Sequence, residues 1–232
     1  MKSPRRVALS RDRVLRAAVA VTDRDGIGSL SMRRLADKLG VVPMALYKHV
    51  ANKEELLDGM IDIVIGEIDP PLRDADWKRA VRQRILSARQ ALLRHPWASG
   101  VLESRKRPTI AAVDYLNSTI GIFRSGGFSV GLAHHAAHTM GSRLFGFTQD
   151  LFLDTRGADP KLQARMLEQM AAKYPYLVEV ATAASHDEGS VVGQGCDDQY
   201  EFEFALDVLL DGFERIMRQQ QTTSPQRSAQ RV

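Results

Sequence analysis

The chain has 232 residues, 44% of them hydrophobic, and a formal net charge of +4. That length holds one sizeable domain or a small domain joined to a larger one, and the lone cysteine, Cys196, excludes a disulfide framework and a cysteine-based metal site. No apolar run approaches the roughly 18 residues of a membrane span, and the basic start runs into more charge, so a cytoplasmic protein with neither span nor signal peptide is expected.

Charge is unevenly distributed. Residues 1–53 hold 12 Lys and Arg against 4 Asp and Glu, whereas the remaining 179 hold 20 against 24. A basic head on a slightly acidic body points to a polyanion as the partner of the head.

Helical periodicity dominates in chain order. After a basic arm (residues 1–10), "SRDRVLRAAVAVTDRDG" reads as a helix capped by Ser10 and stopped by Gly26, with Val14, Ala17, Ala18 and Val21 on its buried stripe. A second helix opens at "SMRRLADKL" under a Ser31 cap, with core contacts from Leu35, Ala36 and Leu39. Gly40 permits a sharp turn, and Pro43 suits the first turn of a third helix that carries Met44, Ala45, Tyr47, Lys48 and His49. Two short helices across a glycine turn make a helix-turn-helix unit. Asn52 caps a fourth helix through "KEELLDGMIDIVIGEI", which ends before Pro70 and Pro71.

Further helices are predicted at 76–94, 109–125, 129–153, 160–184 with a break at Pro175, and 198–219. The last carries Phe202, Leu206, Leu209, Phe213 and Ile216 in a heptad seam, widened by Ala205, Leu210 and Met217. "HDEGSVVGQGCDD" reads as a loop and residues 220–232 as a disordered tail. The expected fold is all-α: a three-helix helix-turn-helix domain over residues 1–53 and a larger helical domain over 54–219.

Pro43, Met44, Ala45, Tyr47, Lys48 and His49 are too mixed to form a core face. Leu46 and Val50, four apart, would face the small core instead. In a helix-turn-helix unit the second helix offers its start to base edges in the major groove, where apolar groups meet thymine methyls and polar ones reach phosphates. Arg33 and Arg34 would flank the groove, and Lys53 would sit beside free helix amides, ready for a phosphate. Elsewhere, His134 and His138 share a helical face, but no cysteine or acid nearby completes a site, so no metal and no cofactor are assigned. No nucleophile elbow, phosphate loop or paired carboxylates mark an enzyme, and no catalytic residue is assigned.

"SMRRLADKLGVVPMALYKHVANKEELLDGM" resembles the DNA-binding domain of the tetracycline-repressor (TetR) family of transcriptional regulators, over about 50 residues from Arg11 to Met60. "ALLRHPWASGVL", "KRPT" and "RSGGFSVGLAHHAAH" are similar, more loosely, to the effector-binding domain of the tetracycline repressor's own branch. The resemblance implies that Ser31, Arg33, Pro43, Met44, Ala45, Tyr47, Lys48, His49 and Lys53 contact bases and phosphates of a palindromic operator. It also implies a homodimer joined through helices near 129–154 and 198–219, with Gly131, Gly141 and Gly146 allowing close packing. An unknown small-molecule effector would bind in the body, with Trp97, Leu102, Tyr115, Thr119, Phe123, His134, His138, Phe147 and Met170 as candidate lining. The branch's histidine and glutamine anchors fall near Leu102 and Thr119, so tetracycline itself is not the expected ligand. The alternative is a dimeric DNA-binding protein with no effector.

Overall fold

A computed structural model of the chain describes residues 8–146, 160–176, 178–179 and 198–228. Phe147, Cys196 and most of the basic arm lie outside the described residues. Among the described residues the regular elements are helices: α1 (Arg11–Asp25), α2 (Met32–Leu39), α3 (Pro43–Leu46), α4 (Lys53–Gly66), α5 (Trp77–Arg94), α6 (Trp97–Ser104), α7 (Ile110–Ser125), α8 (Val130–Gly146), α9 (Pro160–Ala171) and α10 (Asp198–Ser228). None is long and apolar enough to cross a membrane.

Short polar side chains start these helices. Ser10 Oγ accepts the Arg13 N–H, Ser31 Oγ that of Arg34, and Asn52 Oδ1 that of Glu55, at 2.8–3.2 Å. Asp76 and Thr109 do the same for α5 and α7. Gly40 closes α2 in the left-handed region (φ +67), where it returns its N–H to Ala36 and Asp37 and turns the chain into α3.

Four boundaries depart from the sequence reading. Helix α3 stops at Leu46, because the His49 and Val50 amides both bond the Leu46 carbonyl and fold Tyr47–His49 into a turn. Helix α6 was not anticipated, since Gly100 interrupts a short apolar pattern of Trp97, Ala98, Val101 and Leu102. Helix α9 ends at Ala171, where the Lys173 and Tyr174 amides both return to Met170, one turn before the predicted break at Pro175. Helix α10 runs to Ser228 through residues expected as a disordered tail, a continuation that the helix-tolerant Gln219–Gln221 allow.

The described residues divide into two compact units, one up to Leu144 together with those from Gln220, the other between them. In the first unit α4 packs on α1, α5, α6 and α7. Val14, Ala18, Leu35, Ala36, Leu46, Met60 and Ile61, all essentially inaccessible, form one cluster with Trp97, Ala98 and Val101. Each large aliphatic side chain buried there contributes about 1.5–3 kcal/mol. The head completes its core with Met60 and Ile61 of α4 and with Trp97, Ala98 and Val101 of α6. A second aromatic knot joins α5 to the α7–α8 turn, with Trp77 edge-on to Phe128 at 4.7 Å and Phe123 at 5.1 Å from Phe128.

In the second unit, α10 buries Phe202, Leu206, Leu210, Phe213 and Met217. The predicted seam is rotated: Leu209 is half-buried and Ile216 exposed, because the buried stripe follows spacings of four, four, three and four. Tyr200, Phe204, Val208 and Ile216 make a separate exposed apolar stripe on the same helix.

Candidate functional sites

Leu46 and Val50 anchor α3 and its following turn in the head's core, and that anchoring turns the other side chains outward. Met44 is 70% and Tyr47 44% exposed. Pro43 and Lys48 are exposed, and Ala45 and His49 are half-buried. Val42, 67% exposed at the entry to α3, joins this apolar edge. Sequence reading missed it, although a β-branched residue on the turn before Pro43 is a signal of an exposed apolar group.

Arg33, Lys48 and Lys53 are exposed and carry no ion pair among the described residues, so they are available to phosphates. Arg34, expected beside Arg33 at the groove, is instead paired with Asp25 at 2.8 Å. The Asp25 carboxylate also takes Arg24 at 2.7 Å, and the Arg24 hydrogen bond holds it below the usual carboxylate range against the opposing effect of burial. Ser31 uses its oxygen to cap α2, which leaves its hydroxyl proton to donate outward. At the start of α4, Glu55 Oε2 accepts the Ala51 N–H at 2.7 Å, fixing the turn that presents Lys53.

The head is tied to the following helices by a polar joint absent from the sequence reading. His95, at the end of α5 and 6% exposed, directs Nδ1 to Asp23 of α1 at 2.7 Å and Nε2 to Glu67 after α4 at 3.2 Å. Trp97 Nε1 donates to the same Asp23 oxygen at 2.6 Å, and Arg94 holds Glu67 at 2.9 Å. Burial raises the Glu67 carboxyl, but the hydrogen bonds from Arg94 and His95 together outweigh it and hold the group low. Below the joint, Arg105 pairs with Glu54 and with Asp58 at 2.8 Å, clasping α4 to the end of α6. Both attachments grip α4, one at each end.

Of the nine residues expected to line an effector pocket, eight lie among the described residues. Trp97 and Leu102 belong to the head's core. Phe123 is in the aromatic knot, His134 and His138 are exposed on α8, and Met170 is half-buried on α9. Phe147 lies outside the described residues. Tyr115 and Thr119 sit together one turn apart on α7, where the Thr119 hydroxyl donates to the Tyr115 carbonyl at 2.8 Å. Arg84 of α5 lies over the Tyr115 ring, 4.6 Å from its centroid. No group of three or more His, Cys, Asp or Glu side chains suited to a metal occurs among the described residues.

Comparison with known proteins decides the family. The description "Bacterial regulatory proteins, tetR family" matches residues 14–60, and "Tetracyclin repressor-like, C-terminal domain" matches residues 69–217. The chain belongs to the TetR family. Within it, this TetR-family regulator is 31% identical over 236 residues to the HTH-type transcriptional repressor DrrR1 of Streptomyces coeruleorubidus, covering 93% of this chain and 81% of that one. A stronger but shorter match, 39% over 98 residues, is to an HTH-type transcriptional regulator of Saccharopolyspora erythraea and spans 42% of that protein. Among solved structures, the Streptomyces coelicolor TetR family protein ActR in complex with (S)-DNPA superposes with a TM-score of 0.67 at 26% identity, covering 89% of this chain and 98% of that one. The first two are named as a transcriptional repressor and a transcriptional regulator, and the TetR-family chain is a DNA-binding transcriptional regulator rather than an enzyme.

Proposed function

We propose that this regulator binds a palindromic operator as a homodimer and represses transcription until a small-molecule effector, bound in its body, releases it. The observation that carries the DNA contact is the outward row of Val42, Met44, Tyr47 and Lys48, held by the inaccessible Leu46 and Val50 and flanked by Arg33 and Lys53. Apolar members of such a row suit thymine methyls, and the cations set register on phosphates. For the homodimer, support comes from the exposed stripe of Tyr200, Phe204, Val208 and Ile216 on α10, within the 198–219 segment expected at the interface. Gly131, Gly141 and Gly146 on α8 face open space within the chain, which suits a close neighbour. For ligand control, support comes from the ligand-bound ActR relative and from the repressor name of DrrR1.

Release would work through α4. Lys53 begins it at the DNA face, and Glu67 ends it at the His95 joint. A tilt of α4 changes the separation of two heads that must match grooves about 34 Å apart. A coupling of about 1–3 kcal/mol gives a 5–150-fold change in affinity. The test is titration onto DNA flanking the regulator's own gene, at two salt concentrations and beside scrambled DNA. Binding near 10⁻⁸ M or tighter to the specific DNA, with a steep salt slope lowered in Lys48→Ala, is the expected result. Equal weak binding to both DNAs, unchanged by Lys48→Ala, would refute the operator contact.

A further inference from the structure

Helix α8 carries three exposed histidines, His134, His135 and His138. His134 and His138 are four apart and so lie on one face, a turn apart, with ring centres separated by 4.5 Å and planes at 66°. His135 stands about 100° round the helix, its ring centre 5.5 Å from that of His134. Neither imidazole of the His134–His138 pair takes a hydrogen bond or an ion pair among the described residues. The nearby hydroxyls of Thr139 and Ser142 turn back to the His135 and His138 carbonyls, at 2.8 and 3.0 Å, and leave the ring nitrogens unengaged. Helix α8 itself holds no Asp or Glu. Gly131 and Gly141 continue the same face at spacings of three, four and three, and a Cβ added at either would meet no atom within 4 Å. The pair therefore stands on an open face with room beside it.

Imidazole nitrogen suits zinc, copper and nickel, whereas magnesium and calcium take oxygen. With metal–nitrogen bonds of about 2.0–2.1 Å and a ring centre about 1.2 Å behind the nitrogen, two imidazoles meeting one ion at roughly 90–110° have centres about 4.5–5.4 Å apart. The His134–His138 separation already matches the short end of that range, so convergence on one ion requires only rotation of two exposed rings. We propose that His134 and His138 chelate a divalent transition-metal ion on the exposed face of α8, with water in its remaining positions. Two nitrogen ligands and water make an open, exchangeable site, in contrast to closed structural sites with four protein ligands. The pair spans one helical turn, so the ion clips that turn and its binding stabilises the folded chain over the unfolded one. Where a second subunit lies against this face, as in the homodimer proposed above, its own histidine pair replaces water and two chains share one ion. The chelate does not depend on the operator or effector reading.

The experiment uses the untagged full-length protein, stripped of metal by dialysis against a chelator and titrated with Ni²⁺, Zn²⁺ and Mg²⁺ by calorimetry. Wild type is compared with His134→Ala, His138→Ala and His135→Ala, and melting is recorded for each with and without Ni²⁺. Circular dichroism of the metal-free variants, altered only at exposed positions, separates a lost ligand from a lost fold. Wild type should bind Ni²⁺ and Zn²⁺ but not Mg²⁺, and His134→Ala and His138→Ala should each weaken Ni²⁺ binding about tenfold or more. His135→Ala should bind within about twofold of wild type, since neighbouring residues on a helix do not share a face. Ni²⁺ should raise the melting temperature of wild type and of His135→Ala, and leave that of His138→Ala unchanged. No binding of Ni²⁺ or Zn²⁺ by wild type would overturn the proposal, as would binding kept by both His134→Ala and His138→Ala. A His135→Ala loss as large as theirs would overturn the assignment to the His134–His138 pair.

Discussion

Replacing His95 with alanine tests whether the joint between α1, α4 and the α5–α6 junction holds this molecule together. His95 is 6% exposed, and its imidazole meets a carboxylate oxygen at each nitrogen, at 2.7 Å on Asp23 and 3.2 Å on Glu67. Hydrogen bonds to charged groups are worth about 1.5–3 kcal/mol each. The loss is smaller than their sum, because Asp23 keeps the Trp97 N–H, Glu67 keeps Arg94, and a partly exposed Glu67 can turn to water. We therefore expect a net destabilisation of about 2–3 kcal/mol. For a chain of this size that is a fall of about 4–12 °C in melting temperature, at roughly 2–4 °C per kcal/mol. Urea unfolding of the two proteins side by side gives the difference directly. The exposed Arg16–Asp12 pair, four residues apart on α1 at 2.9 Å, is the control: Arg16→Ala should change stability by less than about 0.5 kcal/mol. A His95→Ala loss no larger than the Arg16→Ala loss would refute the joint.

Further outcomes follow from the same geometry. Leu46→Ala, at a fully inaccessible position, should cost about 2–5 kcal/mol in thermal or urea melts, whereas Met44→Ala should leave stability within about 0.5 kcal/mol and weaken operator binding in anisotropy titrations. Gly40→Ala should cost about 1–2 kcal/mol by placing a Cβ at φ +67, and circular dichroism melts would show it. Glu67 has a folded-state carboxyl held low, so it contributes stability above its unfolded pKa that is lost as pH falls through the folded one. Glu67→Gln should accordingly be less stable than wild type near neutrality and lose part of the wild type's acid-induced destabilisation; parallel pH–stability curves would contradict this.

Much of this protein was legible before its structure, because local chemistry decides local structure. Ser10, Ser31 and Asn52 start helices wherever the following segment is helical, and Gly26 and Gly40 end them, since each needs only its own neighbours. Which side chains of α3 point outward was also legible, because Leu46 and Val50 are apolar at a spacing that fixes which side faces inward. Three things were decided only by tertiary packing. Arg34 looked as available as Arg33, until folding carried Asp25, nine residues away, to within 2.8 Å of it. The buried stripe of α10 was rotated from the seam, since a helix apolar on several sides does not specify which side is covered. Asp23, Glu67 and His95 are ordinary surface residues in a linear reading, and Arg84 one more cation in a helix full of them. The chain brings the first three together across more than 70 positions, and it buries the fourth between α5 and α7. Periodicity registers which residues share a face; partners distant in sequence and the degree of burial belong to the assembled fold.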